Sequence, residues 1–194
     1  MPVSTLVVGL GNPGPEYERT RHNMGFLVAD ALAAASPGCR WKRRGAALGA
    51  EVDLEGKPVL LAKPLTYMNR CGEAVRWLLG AEGLGPDSLV VVVDDFNLPF
   101  GRLRIRLKGS PGGHNGLESV IGAVGSDEFA RLRIGIGEES MPVDRAEFVL
   151  EDFPAGRRKE LEEVVGRSAD AVRTIVRDGA ARAMADYNSR RDAK

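Results

Sequence analysis

The sequence predicts an α/β fold: a single domain with a twisted mixed sheet, mostly parallel, flanked by helices on both faces. Three observations carry this. Short β-branched runs alternate with helix-period segments along the chain, the pattern that parallel strands and their crossover helices produce. The run Leu89-Val90-Val91-Val92-Val93 has no polar alternation, which marks a strand covered on both faces. A length of 194 residues with 43% hydrophobic and 28% charged content suits one core, and no repeat or low-complexity tract divides residues 1–194.

Each element has a local reason. Leu6-Val7-Val8 is a buried strand that runs into a Gly/Pro loop. Phe26 to Ala35 is helical, with Leu27, Ala31, Leu32 and Ala35 on one face and Ser36-Pro37-Gly38 as the stop. Ala50 to Leu54 and Pro58 to Ala62 pair as a hairpin about Glu55-Gly56-Lys57. Asn69 to Leu79 is a helix, with Asn69 as candidate N-cap and Gly80 as its end. Ser88 to Val93 is the central strand. Leu103, Ile105 and Leu107 alternate with Arg102, Arg104, Arg106 and Lys108, giving one apolar and one basic face, and Arg131-Leu132-Arg133-Ile134 repeats that design. The last third is helical, with a stripe of Leu161, Val164, Val165, Ala169, Val172, Ile175 and Val176. Gly179 separates it from a final helix, Ala180 to Tyr187.

Composition excludes several classes. With 27 basic and 27 acidic residues the chain is neutral, which argues against non-specific coating of nucleic acid but allows local patches at Arg40, Lys42, Arg43, Arg44 and along Arg102–Lys108. No apolar run approaches the ~20 residues of a membrane span. Met1-Pro2-Val3-Ser4 carries no basic n-region, so no secretory leader is expected. Cys39 and Cys71 are too few for a disulfide framework, and a reducing, cytoplasmic setting is expected.

Four segments could carry chemistry. Gly9-Leu10-Gly11-Asn12-Pro13-Gly14 fits the dinucleotide fingerprint. Pro13 and Pro15 oppose a smooth entry into a phosphate-facing helix, so a loop closing a strand is the better reading, with Asn12 at the strand's carboxyl end. His22 stands just ahead of a helix, where the dipole favours the neutral imidazole that a general base needs; a capping or packing histidine is the alternative. Asp94 and Asp95 end the central strand, where a carboxylate can orient a histidine, hold a metal ion or cap a turn. Lys108-Gly109-Ser110-Pro111-Gly112-Gly113-His114-Asn115-Gly116 reads as a lid, an anion-binding nest or a flexible connector. Three loop-end amides (Asn12, Asn69, Asn115), two histidines and an aspartate suit hydrolysis of a polar acyl compound. No Ser or Cys stands in a nucleophile elbow, so water is the expected attacker.

Taken in order, Val8-Gly9-Leu10-Gly11-Asn12-Pro13-Gly14 with Tyr17, Thr20-Arg21-His22-Asn23-Met24-Gly25, Pro64-Leu65-Thr66-Tyr67-Met68-Asn69, Asp94 with Leu98-Pro99, Gly112-Gly113-His114-Asn115-Gly116 and Arg131-Leu132-Arg133-Ile134-Gly135-Ile136-Gly137 resemble the bacterial-type peptidyl-tRNA hydrolases over nearly the whole chain. The resemblance implies cleavage of the ester joining a peptide to the terminal ribose of tRNA, without metal, dinucleotide or other cofactor, by a monomer. It implies that His22 is the general base and that Asp94, five residues before Pro99, orients it, with Asp95 only its neighbour. Asn12 would read the blocked amino end. Tyr17, Tyr67, Met68, Asn69, His114 and Asn115 would line the substrate channel, with His114 also expected to support the catalytic pair. Arg104, Arg106, Lys108 and Arg133 would meet tRNA phosphates. The chain departs from the family at Glu138-Glu139-Ser140-Met141-Pro142-Val143, where a basic stretch is usual, at Glu118 in place of Lys, and at Cys71 in place of Ser. A plant organelle intron-splicing family resembles these hydrolases, so a tRNA-binding protein without turnover is the rival reading.

Overall fold

The structure, a computed structural model, describes residues 2–139 and 141–189; Met1 and Ser140, both named above, lie outside the described residues. Among the described residues seven strands form one sheet: β1 (Thr5–Gly9), β2 (Lys42–Arg44), β3 (Ala47–Leu54), β4 (Lys57–Pro64), β5 (Leu89–Pro99), β6 (Leu103–Arg106) and β7 (Ala130–Gly137). Their order is β2-β3-β4-β1-β5-β7-β6. The central pairings β4–β1, β1–β5 and β5–β7 are parallel, and the outer ones are antiparallel. This is the mixed sheet expected.

Among the described residues six helices cover it: α1 (Met24–Ala34), α2 (Cys71–Glu82), α3 (Asn115–Val124), α4 (Arg145–Leu150), α5 (Arg158–Asp178) and α6 (Ala180–Asn188). Strand side chains alternate between two cores. Val7, Val90, Val92 and Leu132 face α1, α5 and α6, whereas Leu6, Val8, Val91 and Val93 face α2 and α3. Among the described residues no helix is long and apolar enough to cross a membrane.

Most local expectations hold, and the departures have physical causes. Glu55 and Gly56 both take positive φ (57° and 79°) and close the β3–β4 hairpin as a two-residue turn whose twist matches the strands. α1 buries Met24, Gly25, Val28, Ala29, Leu32 and Ala33, not the face through Leu27, Ala31 and Ala35. Its only charged residue is Asp30, so the pattern alone defines no face; close contact with β1 does. There a Cβ on Gly9 would collide with the Gly25 carbonyl, and one on Gly25 with Leu10 and the Val92 carbonyl.

α2 runs through Gly80 and ends at Gly83, which is left-handed (φ 67°); Gly83 N–H bonds the Gly80 carbonyl and Leu84 N–H the Leu79 carbonyl. That paired closure satisfies the last carbonyls, and Gly80 inside the helix is a tolerated loss of about 1 kcal/mol.

β5 is longer than expected and kinks between Asp95 and Pro99. Gly135 and Gly137 on β7 make room for the kink, because a Cβ at either would strike the carbonyls of residues 96–99. β6 keeps its design at the sheet edge, with Leu103 and Ile105 buried and Arg104 and Arg106 exposed, although Leu107 lies past its end and is also exposed. β7 does not repeat it. Lying between β5 and β6, it has both faces covered, so Arg131 and Arg133 fold inward.

Candidate active site

The catalytic candidates meet above the carboxyl ends of β1 and β5, where open α/β sheets build their sites. Asp94 lies in the buried stretch of β5, just before its kink, and is 1% exposed. The 3-10 turn Arg21–Asn23, just before α1, delivers His22, whose Nδ1 lies 2.9 and 3.0 Å from the two Asp94 oxygens. The glycine loop after β6 delivers His114, whose Nε2 lies 3.0 Å from Asp94 Oδ1. The two rings tilt toward each other with centroids 5.1 Å apart.

Hydrogen bonding assigns the tautomers. His114 Nδ1 accepts from the N–H groups of Gly116 and Leu117 at 3.1 and 3.2 Å, capping α3, so its proton sits on Nε2 and points at Asp94. His22 donates to Asp94 through Nδ1. Its Nε2 has no partner among the described residues and is open to solvent. Burial opposes charge on His22, but the Asp94 charge and hydrogen bond outweigh it and hold the imidazolium pKa above the ordinary 6.5. The helix-dipole expectation of a more readily neutral ring is thus overridden by the carboxylate. Burial also opposes ionisation of Asp94, and the two histidines reverse that, keeping its carboxyl far below the usual range.

Asn12 is held at three points. Its N–H donates to Asn23 Oδ1 (2.8 Å), its carbonyl accepts from Asn23 Nδ2 (3.0 Å), and its Oδ1 accepts from Met68 N–H (2.8 Å). That leaves Nδ2 as the donor without a partner among the described residues. Asn23 was not singled out from sequence, though its place beside His22 in a polar run was the available signal. Met68 packs over Gly116, where a Cβ would hit its sulfur. Tyr17 and Tyr67 meet edge to face at 6.5 Å. Asn69 lies inside a 3-10 turn, Met68–Arg70, and caps nothing. With Asn115 it lines a groove of about 350 Å³ between α2 and α3, which also holds Glu118.

Other expected residues take different places. His114, assigned to the substrate channel, is buried and bonded to Asp94. Arg133, expected at a tRNA phosphate, has its Nε on Asp95 Oδ2 at 2.7 Å. Arg104 and Arg106 are exposed without an ionic partner among the described residues, and Lys108 lies 3.9 Å from Glu128. The Arg40–Arg44 cluster sits at the opposite sheet edge, six strand positions from β6, a separation of roughly 29 Å.

Arg21, buried beside His22, bonds Glu138 (2.9 Å), Glu151 (3.0 Å) and the Asp152 carbonyl (3.2 Å), and lies over the Phe148 ring. Glu138 therefore helps to hold the histidine turn. Its carboxylate also lies 3.9 Å from Arg157, within a cavity of about 780 Å³ whose Arg145 stacks on Phe96. Burial pushes the Cys71 thiol up to about 12, so it is no nucleophile. The glycine loop after β1 leads into a 3-10 turn, Pro15–Tyr17, and α1 begins only at Met24, so no helix N-terminus faces a dinucleotide there. His22, Asp94 and His114 could by composition hold a metal ion, but their facing atoms are already paired with one another.

The family model of peptidyl-tRNA hydrolase matches residues 6–194. The chain belongs to the peptidyl-tRNA hydrolase family. A peptidyl-tRNA hydrolase of Rhodococcus jostii is 44% identical over 91% of this chain and 93% of its own length. One of Nocardia farcinica is 48% identical over 90% and 91%. A solved peptidyl-tRNA hydrolase of Acinetobacter baumannii superposes with a TM-score of 0.88 at 31% identity, covering 98% of each chain. As in that family, the hydrolase is a single α/β sheet domain with helices on both faces.

Proposed function

We propose that this chain hydrolyses the ester between a peptide and the terminal ribose of tRNA, with water activated by His22. One observation carries the reading: His22 gives its Nδ1 proton to a buried carboxylate and keeps the Nε2 lone pair open to solvent. That is the arrangement of an oriented general base. Nε2 takes a proton from water as the oxygen attacks the ester carbon. The ribose oxygen then leaves with that proton as the carbon–oxygen bond breaks. A sugar alcohol leaves more readily than an amine, so neither a covalent intermediate nor a metal is required.

Asn12, with its oxygen committed to Met68, offers Nδ2 to a peptide carbonyl, which suits a blocked amino end. Asn69 and Asn115 at the groove mouth, with the Tyr17–Tyr67 wall, would hold the peptide and terminal adenosine. Arg104, Arg106 and Lys108 would meet phosphates of the tRNA body, giving a salt-dependent affinity without sequence readout. Release of N-acetyl-aminoacyl groups from tRNA is the test. Turnover by the wild-type chain that disappears in His22→Ala supports the reading, whereas tRNA binding without turnover by the wild-type chain favours the splicing-factor-like alternative.

A further inference from the structure

Asp94 and Asp95 are consecutive, buried and on opposite faces of the sheet, yet both connect to the same loop. Asp95 pairs in register with Gly135 of β7, which puts it on the face that carries Arg133 two residues earlier. Its two oxygens are committed: Oδ2 takes Arg133 Nε at 2.7 Å, and Oδ1 takes the backbone and side-chain N–H groups of Asn97 at 2.9 and 3.2 Å. The guanidinium, so aimed, places Nη1 and Nη2 at 3.4 and 3.5 Å from the Pro111 carbonyl. The same carbonyl accepts the His114 backbone N–H at 3.2 Å. Gly112 takes φ 62°, and a Cβ there would sit 3.0 Å from Arg133 Nη2, so the loop lies directly on the guanidinium.

Such a loop needs fastening. Gly109, Gly112 and Gly113 all have positive φ, and a glycine-rich segment loses the most freedom on ordering, at about 1–2 kcal/mol per residue. Its fastenings come in a pattern: Arg131 holds the Gly109 carbonyl and Arg133 the Pro111 carbonyl, so alternate arginines of β7 meet alternate carbonyls of the loop. The last fastening is His114 on Asp94.

We propose that Asp95 is a positioning residue for the hydrolysis: by aiming Arg133 at the Pro111 carbonyl it sets the loop at the height where His114 meets Asp94. This rests on the general-base reading of His22. Asp95→Asn should lower kcat about tenfold, with KM for N-acetyl-aminoacyl-tRNA within twofold. In a His114→Asn background it should add little, because both changes act through the same contact. Arg133→Lys, which keeps the charge beside Asp95 but loses the fork that reaches Pro111, should reproduce the kcat loss and provides the measurement if Asp95→Asn folds poorly. Unchanged kcat in both variants would overturn the proposal. So would effects of Asp95→Asn and His114→Asn that multiply independently. A fall in KM at constant kcat would overturn it too, since Asp95 would then merely occupy Arg133 until a phosphate arrives. Failure of the His22 reading shows elsewhere, as turnover that persists in His22→Ala.

Discussion

His22 and His114 are the chain's two histidines, both buried and both donating to one carboxylate, and the proposed mechanism gives them different work. The difference lies in the far nitrogen of each ring. His114 caps α3 with Nδ1, accepting from two backbone amides, so it has no lone pair left for a proton in transit. His22 occupies a one-turn element ahead of α1 that asks no side chain to cap it, which leaves Nε2 for water. Proximity to Asp94 does not make a base; what the second nitrogen is doing decides it.

Replacing each member in turn breaks or sharpens that contrast. The largest effect is expected from His22→Ala, with kcat down about 10³-fold, the scale of a lost general base, and tRNA affinity in equilibrium binding within about twofold. Asp94→Asn should lower kcat about 10²-fold. It also changes the pH profile. In the wild type the acid limb of kcat/KM should lie above pH 6.5, because His22 must be neutral to act and Asp94 raises its pKa. Without the carboxylate burial alone remains, and the limb should move to lower pH. By linkage, the raised His22 pKa contributes stability in full below pH 6.5 and loses it as pH rises through the folded-state value. The depressed Asp94 pKa contributes above the ordinary carboxylate range and is lost only in strong acid. Thermal unfolding of wild type and Asp94→Asn across pH checks both signs.

His114→Ala and His114→Asn divide the second histidine's two tasks. Asparagine caps a helix as well as any residue, so His114→Asn should melt within about 0.5 kcal/mol of wild type, whereas His114→Ala should lose about 1 kcal/mol. Both should lower kcat about tenfold, since neither side chain has an atom at the position of His114 Nε2 to reach Asp94 from the helix cap. Equal stability losses in the two variants would remove the capping role from the comparison. The smallest effect belongs to Cys71→Ser: the thiol, raised to about 12, takes no part in attack, and turnover should stay within twofold and resist alkylating reagents.

Much of this site was legible in the sequence. Asn12, His22, Asp94 and Met68 stand close to strands and helices that local patterning already defines: Asn12 follows β1, His22 and Met68 lie in the turns before α1 and α2, and Asp94 continues the apolar run of β5. The arginines were not legible in the same way. Arg104 and Arg131 occupy the same kind of alternating strand, yet one faces solvent and the other is 1% exposed under the glycine loop. Alternation tells which residues share a face but not whether a neighbour covers it. Glu138 shows the same limit: as sequence it reads as an acid where a basic stretch is usual, and in the fold it pairs with Arg21 and Arg157.

The sequence by itself determined the alternation of strands and helices, the residues available for proton transfer and the absence of a nucleophile elbow, because these follow from short-range periodicity and side-chain chemistry. Tertiary structure alone decided which face of the alanine-rich α1 is buried, that β7 is an inner strand and β6 the edge, and that both histidines meet at Asp94. Those depend on contacts between separate segments, from Gly9 against Gly25 to His22 with Asp94, 72 residues apart in the chain, and the periodicity of one segment carries no information about its neighbours.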